Sequence, residues 1–121
     1  PYVICPVLDA RKKEVYTALF NSEKDQCVRS TPDQAISAID LCNQIKQPTV
    51  FVGNGLDIYK DVFTSCLKEN FVNKVPKKNL TVAASAVLIA NAQKSLHYEL
   101  DSLMINYVRP SEAELNYIVP K

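Results

Sequence analysis

VICPVLDARKKEVYTALF, residues 3–20, carries two apolar runs on either side of a charged turn. The first run reaches Asp9 and Arg11, the chain turns through Lys12 and Lys13, and apolar residues resume at Val15, Tyr16, Ala18, Leu19 and Phe20. Two runs rich in β-branched and aromatic residues, joined by a short polar link, predict a β-hairpin with charge at its tip. Strands are expected over 2–8 and 14–20. In the second strand the alternating sets Val15, Thr17, Leu19 and Tyr16, Ala18, Phe20 are both mostly apolar. That pattern predicts burial on both faces and a central place in a sheet.

Beyond the hairpin, residues 21–25 read as a polar turn and 26–30 as a third strand, which completes an antiparallel meander. Thr31-Pro32 is a helix-start signal, because threonine caps free amides and proline suits the first helical position. Ala35, Ile36, Ile39, Cys42 and Ile45 then recur at a helical period, so a first helix is expected over 32–46, limited by Pro48. Residues 49–52 form a compact apolar strand that ends at Gly53-Asn54-Gly55, followed by an amphipathic helix with Tyr59, Val62, Phe63, Cys66 and Leu67 on one face. Residues 72–80 read as a basic loop. A third helix over 81–96, with Ala84, Val87, Leu88, Ala92 and Leu96, is alanine-rich enough for close packing, and a last strand is expected near 104–108.

At 121 residues and 47% hydrophobic content the chain has enough apolar material for one domain with a single core. No apolar run approaches the roughly 20 residues of a membrane span, and no signal-peptide pattern opens the chain, so a cytoplasmic protein without a membrane partner is expected. The net charge of +1 gives no field for generic nucleic-acid binding, which leaves only local clusters for an RNA contact. Cys5, Cys27, Cys42 and Cys66 lack the close ligand spacing of a zinc site and are read as free thiols, with Cys42 and Cys66 on apolar helix faces. Pro1 already lies in a strand-like run, so the chain is expected to be part of a longer protein.

The hairpin and the segment MINYVRPSEAEL at 104–115 together resemble the C-terminal half of the TsaB (YeaZ) family. Members of that family carry an Asp-Ala-Arg…Glu-Val-Tyr hairpin, here Asp9-Ala10-Arg11 and Glu14-Val15-Tyr16, and close near a Tyr-x-Arg strand, here Tyr107-Val108-Arg109. The resemblance implies an α/β fold of the ribonuclease-H-like (actin-like ATPase) class, with a mixed five-stranded sheet in the order β-β-β-α-β-α-α-β. It implies that residues 1–121 are a single C-terminal actin-like domain whose N-terminal partner domain is missing. It further implies a non-catalytic subunit of the bacterial system that makes N6-threonylcarbamoyladenosine at adenosine 37 of tRNA. The expected partners of the intact protein are a TsaD-like catalytic paralogue and a TsaE-like ATPase, with a homodimer allowed and any tRNA contact indirect.

Two departures from the family pattern bear on chemistry: Lys13 stands where the hairpin turn usually has a small residue, often glycine, and Ile105-Asn106 replaces the proline before Tyr107. Without glycine at the tip, side chains hinder close approach of backbone to a phosphate. Asp9, Gly53, Asn54 and Gly55 are therefore vestigial nucleotide-site candidates, and no cofactor is expected. Asp9, Arg11, Glu14, Tyr16, Tyr107 and Arg109 are assigned structural or interface roles, with Glu14 as an ion-pair partner at the tip and Arg109 fixing the sheet end or a domain cleft. The rival reading is the nucleotide-binding half of an actin-like kinase or ATPase, using Asp9 and Gly53-Asn54-Gly55. No catalytic set is expected: His97 is the single histidine, two-histidine metalloprotease motifs are absent, and Asp9 alone among the carboxylates sits at a strand end. Asp57 and Asp61 read as a solvated helix face, and Lys74, Lys77 and Lys78 as a basic loop able to join Arg11, Lys12 and Lys13.

Overall fold

Val3–Asp9 (β1) is the axis on which the fold is built, paired along both sides. The computed structural model describes residues 2–23, 26–73, 82–92, 99–111, 113–114 and 117. The chain divides into two compact units, one of residues 1–74 with 107–121 and one of residues 75–106.

In the larger unit, β1 pairs antiparallel with Glu14–Thr17 (β2) and Phe20–Glu23 (β3). Val3 faces Asn21, Ile4 faces Phe20, Val7 faces Thr17 and Asp9 faces Val15, a single unbroken register. The two short strands are thus one hairpin arm, interrupted at Ala18 and Leu19 opposite Pro6, which has no N–H to give to the ladder. The outer side of the arm is covered antiparallel by Gln26–Arg29 (β4) and Gln34–Ser37 (β5). Because Phe20 pairs with Arg29 and Thr17 with Gln34, residues 30–33 must fit opposite Ala18 and Leu19. They bulge outward. The bulge is held by the Leu19 backbone, whose N–H donates to Thr31 Oγ1 at 2.8 Å and whose carbonyl accepts from the Ser30 N–H at 2.8 Å.

That bulge corrects the expected first helix. Thr31 spends its hydroxyl on Leu19, Pro32 sits where no ladder N–H is required, and Gln34 to Ser37 pair with β2. The helix (α1) spans Ala38–Gln44 instead, and its cap is Ser37, whose Oγ accepts from the Asp40 N–H at 3.1 Å and donates to the Asp40 carboxylate at 2.7 Å. Thr49–Val52 (β6) then lies parallel to β1, Gly55–Leu67 (α2) follows at once, and Phe71–Val72 (β7) lies parallel to β6. The sheet is mixed. It has seven short strands rather than five, since two of its lanes are broken.

The last strand also differs from expectation. The place beside β6 is filled by β7, which falls between α2 and the third helix rather than after it, so residues 103–107 join no ladder. Leu103, Met104, Ile105 and Tyr107 are exposed there. In the smaller unit Val82–Ala92 (α3) is helical, and none of its side chains is buried despite the alanine-rich sequence. Residues 93–96 of the expected third helix, His97, and Lys74, Lys77 and Lys78 lie outside the described residues.

Both α1 and α2 pack on one face of the sheet. Cys5, Val7, Val15 and Phe51 from the strands meet Ala38, Leu41, Cys42 and Ile45 of α1 and Phe63 and Leu67 of α2. Phe51 stacks on Phe63 with ring centroids 4.4 Å apart and on Phe71 at 5.6 Å. On β2, Val15 and Thr17 are buried toward this core while Glu14 and Tyr16 on the other face are half-buried. The hairpin arm is central in the sheet, as expected, but only one of its faces is fully enclosed.

Candidate functional site at the hairpin tip

The tip is a three-residue turn. Ala10 N–H donates to the Glu14 carbonyl at 3.0 Å and Glu14 N–H to the Arg11 carbonyl at 2.9 Å. Between them Arg11, Lys12 and Lys13 have φ of 61°, 52° and 65°, all in the left-handed region that costs a residue with a Cβ about 1–2 kcal/mol. Asp9 offsets part of this cost. Its Oδ1 accepts from the Arg11 N–H at 2.9 Å, closing an Asx turn, and its Oδ2 lies 3.7 Å from Arg11 Nε. The Asp9 carboxylate is 15% exposed and the Arg11 side chain 87%, so the acid is a sheltered anchor and the base reaches into solvent.

The glycine turn lies against the same strand end. Asn54 Oδ1 accepts from the Asp9 N–H at 3.3 Å, which joins the two vestigial candidates directly. A Cβ on Gly53 would fall 2.4 Å from the Val7 carbonyl oxygen, and φ there is +107°; a Cβ on Gly55 would fall 3.0 Å from the same oxygen and 3.3 Å from the Asp9 nitrogen. The space that each glycine frees is filled by the backbone of β1. Asn54, which precedes α2, makes no side-chain cap to that helix, consistent with its oxygen being turned to Asp9. The pair of glycines therefore has a packing explanation: they let the start of α2 close onto the hairpin.

On the other side of the tip, Arg109 Nη1 binds Glu14 Oε2 at 2.8 Å, with both side chains about a third exposed (27% and 35%). The guanidinium carbon sits 6.0 Å from the Tyr16 ring centroid, at the outer reach of a cation–π contact. Glu14 thus pairs with Arg109 from the far end of the sequence, and Arg11 pairs with Asp9. Tyr107, grouped with these in the sequence reading, is 79% exposed and stands apart. Just beyond, Ser111 and Glu114 form a reciprocal cap: the Ser111 N–H donates to Glu114 Oε2 at 2.7 Å and the Glu114 N–H to Ser111 Oγ at 3.2 Å, which holds the Glu114 carboxyl below its ordinary range.

The sequence reading missed a group of thiols under α1 and α2. Cys5 is fully buried and its sulfur lies 3.3 Å from Thr17 Oγ1; burial pushes its pKa up to about 11, with the Thr17 hydrogen bond opposing. Cys42 is pushed up to about 12 by burial, by the charge and hydrogen bond of Cys66, and by the charge of Cys5. Cys66, expected on the apolar face of its helix, is exposed, as is Cys27 on β4, and all four cysteines are free. Asp57 and Asp61 are exposed on α2. Among the described residues no three acidic, histidine or cysteine side chains converge as a metal site, and no helix is long and apolar enough to cross a membrane.

No family model matches the chain. The tRNA threonylcarbamoyladenosine biosynthesis protein TsaB of Bacillus subtilis (strain 168) is 25% identical over 120 residues, which cover 96% of this chain and 51% of that protein. The chain spans about half the length of this curated relative. The crystal structure of an uncharacterized protein with similarity to peptidase YeaZ from Pseudomonas aeruginosa superposes with a TM-score of 0.58 at 14% identity, covering 88% of this chain and 49% of that one, a likeness of fold. Over nearly its whole length the chain is similar to the TsaB (YeaZ) family.

Proposed function

We propose that the chain is the C-terminal, actin-like domain of a cytoplasmic TsaB-like subunit that takes part in threonylcarbamoyladenosine formation on tRNA without itself catalysing a step. The observation that carries this reading is the similarity to TsaB along 96% of the chain. The ribonuclease-H-like reading of the fold is supported by a hairpin and third antiparallel lane followed by two parallel lanes, β6 and β7, with α1 and α2 on one face. Asp9 and Arg11 serve to brace the hairpin tip and its contact with Asn54, while Glu14 and Tyr16 hold it to Arg109 in the segment after Tyr107. In the intact protein the partners are a TsaD-like catalytic paralogue and a TsaE-like ATPase. The test is reconstitution with the intact parent protein: with TsaD and TsaE it restores threonylcarbamoyladenosine in tRNA, read by nucleoside mass spectrometry. The 121-residue chain in its place restores none. Failure of the intact protein to bind TsaD or support modification would overturn the proposal.

A second reading, a nucleotide-binding half of an actin-like kinase, has one observation in its favour: Asp9 and the Gly53-Asn54-Gly55 turn are joined by a hydrogen bond. Against it, the glycines are occupied by the β1 backbone and the tip presents three side chains in place of glycine amides. ATP binding by the intact protein, lost in Asp9→Ala, would favour the kinase reading.

A further inference from the structure

We propose that the hairpin tip and Tyr107 form a contact site for an unpaired RNA strand, with Arg11, Lys12 and Lys13 on successive phosphates and the Tyr107 ring stacked on a base. The proposal rests on the reading of the chain as a domain of a tRNA-modifying subunit, and it names a direct contact where the family resemblance implies only an indirect one. Three exposed cations occupy the three consecutive positions of the turn. The two acids that flank them are engaged elsewhere. Asp9 is 15% exposed and accepts from the Arg11 N–H, and Glu14 Oε2 is held by Arg109 at 2.8 Å. The outward surface of the tip is therefore cationic.

All three turn residues have positive φ, and residues with a Cβ held in that region cluster at ligand contacts. Successive residues of a left-handed turn are offset by about 100°, the mirror image of the α-helix, so the three side chains fan out around the tip. Splayed in this way they cannot converge on one phosphate, but each can meet a different phosphate of a strand that passes over the turn. Tyr107 supplies the second half of the site. Arg109 is fixed to Glu14, the residue after Lys13, and at roughly 3.5 Å of chain per residue the Tyr107 Cα lies within about 7 Å of the Arg109 Cα. The Glu14–Arg109 pair thus carries Tyr107 to the neighbourhood of the basic turn. Tyr107 is 79% exposed, and an exposed aromatic face stacks on any unstacked base. A base inside a duplex has both faces covered by its neighbours, so cations and ring together select an unpaired strand.

The experiment is fluorescence anisotropy with the folded 121-residue chain and three labelled probes: a short oligouridylate, an RNA duplex and an unmodified tRNA transcript. The expected result is binding of the oligouridylate and the tRNA, weaker binding of the duplex, and a slope of log affinity against log salt of about −2, as three phosphate contacts on a single strand require. Lys12→Gln/Lys13→Gln should bring that slope to about −0.7. Tyr107→Ala should weaken oligouridylate binding about tenfold with the slope unchanged, and Tyr107→Phe should restore it. Circular dichroism confirms the fold of each variant. Absence of RNA binding at low salt, a duplex bound as tightly as the oligouridylate, an unchanged slope in the lysine variant or an unchanged affinity in Tyr107→Ala would each overturn the proposal. So would binding to phosphatidylserine vesicles without binding to RNA. The binding mixture contains neither TsaD nor TsaE, so loss of this contact leaves the subunit reading standing, and a failed reconstitution leaves the contact to be judged on binding alone.

Discussion

At the scale of single residues, the turn Arg11-Lys12-Lys13 holds three non-glycine residues at positive φ, and the last stands where the family pattern favours a small residue. Replacing Lys13 with glycine removes a left-handed penalty of about 1 kcal/mol, less the entropy that glycine returns to the unfolded chain. Lys13→Gly should therefore raise stability by no more than about 0.5 kcal/mol, read as a slightly higher urea midpoint with an unchanged m-value. Gly53 is the opposite case. Any Cβ there meets the Val7 carbonyl at 2.4 Å, a backbone atom that cannot rotate away, at φ +107°. Gly53→Ala should cost more than about 2 kcal/mol, and a variant that unfolds at the wild-type midpoint would show that the turn is looser than its geometry implies.

At the scale of elements, the hairpin was legible because its apolar runs and charged tip are local, and the β6–turn–α2 sequence because glycine and helical periodicity follow in immediate succession. The boundary between third strand and first helix was not legible. Ala35, Ile36 and Ile39 satisfy a helical period, yet Gln34 to Ser37 are claimed by the free edge of β2, a nonlocal partner that no window along the chain contains. Ile39, counted into the apolar stripe, is 62% exposed as a result. A signal for the true start was present: Ser37-Ala38-Ile39-Asp40 is a serine followed three residues on by an acid, a close relative of the capping box. The stronger-looking Thr31-Pro32 masked it. Of the candidate site, the Asp9 and Glu14 neighbourhoods were legible as a charged tip, but their pairing with Asn54 and Arg109, 45 and 95 residues away, depends on the sheet. If Ser37 is the cap, Ser37→Ala should destabilise the chain by about 1 kcal/mol, whereas Thr31→Val should act through the bulge by leaving the Leu19 N–H without its acceptor. Loss of stability in Thr31→Val with none in Ser37→Ala would restore the earlier helix start.

At the scale of the whole molecule, a net charge of +1 leaves little global self-repulsion for pH to modulate, so the pH dependence of stability rests on individual groups. Two of them are the core thiols. Their ordinary pKa of 9.0 in the unfolded chain rises to about 11 at Cys5 and about 12 at Cys42 on folding, because the core and its neighbours penalise the thiolate. Below pH 9 both states hold both protons and these groups leave stability flat. Above pH 9 the unfolded chain loses protons that the folded chain retains, so stability falls as pH climbs, until the folded pKa values are passed. The difference between the unmutated chain and a variant without these thiols is the informative quantity, because contributions common to both proteins cancel. Urea midpoints measured under reducing conditions from pH 7 to pH 11 should decline more steeply in the unmutated chain than in Cys5→Ala/Cys42→Ala. The variant starts lower at pH 7, having lost buried volume, and the two curves should converge as pH rises. Parallel curves would mean that the thiols ionise as readily inside the fold as outside it, and that α1 and α2 do not seal the sheet face on which the core is built.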